Sequence, residues 1–158
     1  MSIERVFVMM MDMTAGVCLT QLEGADIASF DAARATTALH ALTVVRVKSD
    51  QLEAAITRRL SELHESGRAA PVADALSRSS KRSRRGAEQV ERRSGVLGAV
   101  PGLNDALGKG KVGVEHADAV ASAAGRLDDE QRDELFAKDQ QITEHAASSS
   151  PESVRRWV

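Results

Sequence analysis

From Leu39 onward the apolar residues of this chain recur at the spacing of a helix. Leu39, Leu42, Val45, Leu52, Ile56, Leu60 and Leu63 follow at intervals of three, four and seven. That marks one face of a long helix or of a helix pair. Gly67 and Pro71 are expected to end it, and His64 falls in its last turn, where a cation suits the helix dipole. Further on, Ala87, Val90, Ser94 and Leu97 stand three, four and three apart. Aromatic residues make up only 3% of the chain. A core of Ala, Leu and Val packs helices closely and is a poor source of sandwich strands. The expected fold is all-α, with about seven or eight helices.

Capping signals divide the pattern. Val72, Ala73 and Leu76 give a short helix an apolar side, and Ser79 to Arg82 form a polar turn. Ser83 is a good N-cap for the next helix. Pro101 suits the first position of a third, which Gly108 to Lys111 stops. Gly113 opens a helix over Val114 to Ala124, with Ala117, Val120, Ala121 and Ala124 inward. Asp128 and Gln131 have the spacing of a capping box and predict one helix from Glu130 to about Ala147. Ser150, Pro151 and Glu152 combine a cap, a proline and an acid near the dipole. A helix begun so well is expected to run beyond two turns, so the chain reads as cut short.

Composition removes several classes. Cys18 is the single cysteine of 158 residues, which excludes an internal disulfide scaffold and a cysteine-based zinc site. Val6 to Leu22 is the most apolar stretch, but Asp12 interrupts it and it falls short of the roughly 18–20 residues of a membrane span. It reads as a strand or helix packed on the core, with any strand at Val6 to Met11. A cytoplasmic location is expected, with no membrane partner.

The charge is uneven. Residues 1–77 carry 7 basic and 10 acidic residues, and residues 94–158 carry 7 and 11. Residues 78–93 carry 7 basic against 2 acidic. A dense basic segment in an acidic protein suits an anionic partner such as a nucleic acid backbone. It also suits a solvated helix face laced by ion pairs such as Arg84–Glu88 and Glu88–Arg92.

With Ala87 and Val90 inward, Arg85, Gln89 and Arg92 share another face at i, i+4 and i+7. Arg reads guanine and Gln reads adenine in the major groove of duplex DNA. Lys81, Arg82, Arg84 and Arg93 flank that face and are expected to hold phosphates. The backbone N–H groups at the Ser83 end also favour an anion. Few aromatics argue against stacking platforms for single strands.

Residues 83–121 carry a resemblance. The Ser-started, Arg-rich helix Ser83 to Val96, the step Val100-Pro101-Gly102-Leu103, Ala106-Leu107, the glycine turn Gly108 to Gly110 and Glu115-His116-Ala117 follow in order. This series resembles domain of unknown function 222, the helical N-terminal domain of bacterial and phage HNH-endonuclease-type proteins (the 13E12 repeat-like family). The closing Ser148 to Trp157 is similar to a later Ser/Thr-Pro-Glu helix start of that family. The likeness spans roughly Phe30 to Val158 and is diffuse before Pro71. Gly113 stands where the family commonly has Ser or Thr, and Val100 replaces the usual Leu. More distantly, the stretch is similar to the helix-turn-helix region of ParB-type partition proteins.

The resemblance implies an N-terminal arm over 1–28 and a helical domain over 29–158, with a helix-turn-helix-like unit at about 71–97. The chain would be a DNA-binding or DNA-positioning module truncated before its nuclease domain. An HNH site needs histidines and an Asn-type residue on a ββα hairpin around a divalent cation. His40, His64, His116 and His145 all fall in expected helices, as does Asn104, the one asparagine. No catalytic residue, metal site or cofactor is therefore expected. His116 offers a phosphate contact or, more simply, a bond to the preceding turn. Cys18 reads as a small buried apolar residue. The alternative to DNA binding is a scaffold that forms homo-oligomers or docks a C-terminal nuclease domain, with no DNA contact.

Overall fold

The computed structural model describes Thr20 and residues 22–158. These residues form helices and turns, with no strand among them. Most of Val6 to Leu22, including the place expected for a strand and Cys18, lies outside the described residues. The chain divides into two compact units, Met1–Ser49 and Asp50–Val158.

In the first unit Asp26 caps a single 3-10 turn, Ile27–Ser29, by accepting from the Ala28 N–H. Asp31 then accepts from the Arg34 N–H and opens α1, Ala32–Glu65, which continues into the second unit. The expected long helix is thus one element. It stops where glycine permits: Gly67 has φ +70°, and the N–H groups of Gly67 and Arg68 bond back to the carbonyls of His64 and Leu63. Both bonds belong to a Schellman stop, whose left-handed residue favours glycine.

The face by which α1 joins the second unit's cores differs from the leucine stripe. Leu52 and Ile56 are 64% and 60% exposed, whereas Ala54 and Thr57 are buried. Of the stripe, only Leu60 packs on a buried cluster of this unit. Small residues allow closer backbone approach than Leu. The regular spacing of large residues therefore holds at Val45 and Leu60, which are buried or packed on a core, and fails at Leu52 and Ile56.

Seven further helices complete the second unit: α2 Val72–Ser80, α3 Arg84–Ala99, α4 Pro101–Gly108, α5 Val114–Ala124, α6 Asp129–Phe136, α7 Asp139–Ser148 and α8 Pro151–Trp157. The expected caps stand where the sequence puts them. Ser83 accepts from the Gly86 N–H, Asp128 from Gln131 and Ser150 from Ser153. Two clusters form the core. Val72, Leu76, Ala87 and Val90 join α2 to α3. A larger cluster joins α3 to α8, and Leu103, Val120, Ile142 and Val154 are fully buried in it.

The single helix expected from Glu130 is instead two. The chain turns at Ala137 and Lys138, and α7 restarts at Asp139. Asp139 then serves a distant helix: both carboxylate oxygens accept from the Gly102 N–H, at 3.1 and 3.0 Å, and satisfy an orphan donor at the start of α4. A Cβ on Gly102 would lie 2.7 Å from that carboxylate and 2.8 Å from the Thr143 hydroxyl. The joint between α4 and α7 thus needs a glycine on one side and an acid on the other.

Candidate nucleic-acid interface

The basic segment begins in the turn between α2 and α3. Lys81 has φ +52°, an uncommon conformation for a residue with a Cβ, and is exposed. Ser83 then starts α3 with its buried row Ala87, Val90, Ser94 and Leu97, as the spacing predicts. Val96 is buried as well.

The cations divide by what they touch. The Arg82 guanidinium is committed to Glu53 on α1, at 2.9 Å. Arg84 pairs with Glu88 at 3.1 Å, as expected for a solvated face. Arg93 is largely buried, and its Nε lies 3.3 Å from Asp118 Oδ1 on α5. That is a charge contact without hydrogen-bond alignment. The Gln89 side-chain N–H donates to Asp118 Oδ2 at 2.8 Å. Arg85 and Arg92 are exposed and have no ion-pair partner among the described residues.

Arg85, Gln89 and Arg92 line one concavity of about 400 Å³, as their i, i+4, i+7 spacing implies. Asp118, Ala121, Ser122 and Gly125 of the α5 region form another wall. Arg155 of α8 is also part of the lining. Its place there follows from the packing of α8 on α5, and no local pattern of sequence signals it. The roles of Asp118 and Glu53 in holding Arg93, Gln89 and Arg82 are likewise set by tertiary contacts.

The Asp50 carboxyl on α1 is raised above its ordinary value, chiefly by burial and further by Glu53 and Glu115, against the opposing pull of Arg93 and Arg82. Ionising Asp50 therefore costs the folded state. The cost is absent below the ordinary aspartate range and grows as pH rises through that range to the raised folded value. Asp50→Asn is expected to raise stability slightly at about pH 7, by on the order of a few tenths of a kcal/mol because the group is part-exposed. Thermal melts should show the gain shrinking to nothing at about pH 3.

His116 bonds to its own turn and to a distant one. Its Nδ1 accepts from the Gly113 N–H at 3.1 Å, which is the half of a capping box that a glycine cap allows. Its Nε2 lies 3.0 Å from the Ser149 carbonyl oxygen, just before α8. A neutral ring with the proton on Nε2 satisfies both contacts. The ring thus fixes the start of α5 against the start of α8, the two helices that meet at the concavity.

His40, His64, His116 and His145 stand on helices, as does Asn104. No group of three or more His, Cys, Asp or Glu side chains among the described residues could hold a metal ion. No described helix is long and apolar enough to cross a membrane. No family model matches the chain, and neither a curated protein nor a solved structure matches it.

Proposed function

We propose that this chain is a DNA-binding or DNA-positioning module that meets duplex DNA through α3. It would serve an HNH-type endonuclease without itself carrying the nuclease motif, as the resemblance to domain of unknown function 222 implies. The supporting observation is the convergence of Arg85 and Arg92 on one concavity with no carboxylate paired to either. Within the same basic segment Arg82, Arg84 and Arg93 are paired with carboxylates. Leaving two guanidiniums unpaired suits an anion that arrives from outside. The α2–turn–α3 segment supplies the helix-turn-helix-like element of this reading, with α3 as the presented helix.

Fluorescence anisotropy with a labelled duplex over a salt series tests it. The parent protein should bind at low salt and weaken steeply as salt rises. Arg85→Ala and Arg92→Ala should each lower the salt slope by about one unit. Arg84→Ala should change binding less, because Arg84 already pairs with Glu88. A parent that binds no duplex at low salt, but whose mass grows with concentration, would replace this reading with the scaffold.

A further inference from the structure

The concavity is built by residues far apart in the chain. Arg85 and Arg92 reach it from α3, and Arg155 reaches it from α8. Asp118 is the one acidic residue in its lining. That carboxylate is already engaged by Arg93 and by the Gln89 amide, and its side chain is only 17% exposed. It holds Gln89 in place and spends its charge on Arg93, and none of the three lining guanidiniums forms an ion pair with it. Three like charges around one hollow repel one another, and solvent screens them only in part. A multiply charged anion relieves that repulsion, and each planar guanidinium offers paired N–H donors to its oxygens. Ser122, also in the lining, carries a hydroxyl able to donate to such an anion.

From this geometry we infer that the concavity is a phosphate seat, gripped by Arg85, Arg92 and Arg155. The inference builds on the DNA-binding reading and sharpens it. Within the seat Arg85 and Arg92 hold phosphate oxygens rather than reading base edges. Arg155, outside the basic segment, is a binding residue of equal standing. The phosphate belongs either to a duplex backbone or to a free phosphate compound. The seat is sequence-blind, since phosphate oxygens are the same under every base.

Arg156 supplies the control. It is the adjacent exposed arginine of α8, carries the same charge and is not in the lining. Duplex binding is measured over a salt series for the parent, Arg155→Gln and Arg156→Gln. Arg155→Gln should weaken binding roughly fivefold at low salt, equally for duplexes of unrelated sequence, and lower the salt slope by about one unit. Arg156→Gln should bind as the parent does. In parallel, inorganic phosphate is titrated into the parent while the arginine Nε–H resonances are followed by NMR. Those of Arg85, Arg92 and Arg155 should shift together and saturate.

If Arg85→Ala and Arg92→Ala weaken duplex binding while Arg155→Gln matches Arg156→Gln, the seat is refuted and DNA binding stands. If the parent binds no duplex but phosphate shifts the three arginines together, the seat stands for a free phosphate compound and DNA binding fails. If phosphate leaves all three resonances unmoved, the seat is refuted.

Discussion

Val90→Asp is expected to cost about 3–5 kcal/mol, the range for an uncompensated buried charge. Val90 is 3% exposed and packs with Val72, Leu76 and Ala87. None of those neighbours offers a charge to pair with, and the site is small. The loss should also be uneven. The small cluster is separate from the larger one, which begins along α3 at Val96 and Leu97. Hydrogen exchange should therefore show α2 and the first turns of α3 losing protection before α5 and α7 do. Uniform loss across all the helices would mean that the two clusters unfold as one cooperative unit. Retention of parental stability would contradict the packing assigned to Val90.

Gly102→Val should be nearly as damaging, for a different reason. Nothing polar is buried in error; space is removed. The first added carbon already comes within 2.7 Å of the Asp139 carboxylate. Either the carboxylate moves away, leaving the Gly102 N–H unbonded, or α4 moves off α7. Overpacking costs typically 1–3 kcal/mol, and a lost bond at a part-buried donor adds about 1 kcal/mol or more. The expected sum is about 2–4 kcal/mol, read from urea denaturation. Asp139→Ala separates the two contributions. It should cost the carboxylate's bonds to the Gly102 N–H and the Thr143 hydroxyl, and it should make Gly102→Ala less costly in the double variant than in the parent, with the Thr143 hydroxyl as the remaining close contact. Additive losses in that cycle would show that the two residues are not coupled.

How far these elements were visible beforehand depends on the range of the forces that set them. Caps are local. Ser83, Gly113, Asp128 and Ser150 begin helices because a side chain or a bare backbone satisfies donors three residues away, and a sequence shows that directly. The buried row on α3 is legible because Ala87, Val90, Ser94 and Leu97 share both periodicity and apolarity. The α1 stripe has periodicity too, but spacing says only that a face exists. Which face is covered depends on what arrives from elsewhere, and here Ala54 and Thr57 are buried while Leu52 and Ile56 are exposed. The turn at Ala137 and Lys138 was hidden because its beneficiary, the Gly102 N–H, lies in another helix.

The candidate interface divides in the same way. That Arg85, Gln89 and Arg92 share a face is a property of one helix and could be read from their numbers. Charge counting gave Arg82, Arg84, Arg85, Arg92 and Arg93 equal weight. The fold does not, because Glu53, Glu88 and Asp118 occupy three of them. Arg155 carried no signal, since its relevance arises only when α8 lies against α5.

The order in which the second unit is assembled has a consequence for its birth on the ribosome. The last helices fill gaps between earlier ones: Ile142 and Val154 are fully buried in the cluster that also holds Leu103 and Val120. A nascent chain that has emerged only as far as α6 lacks Ile142 and Val154 and so has no closed core, and its apolar residues are open to chaperones and proteases. Synthesis runs at about 5–20 residues per second, whereas helices form within about a microsecond. Helices as short as α2, α4, α5 and α6 are marginal without packing, so these segments form and melt repeatedly until α7 and α8 arrive. The phosphate seat would come into being at the same late moment, since Arg155 emerges with the segment that completes the core.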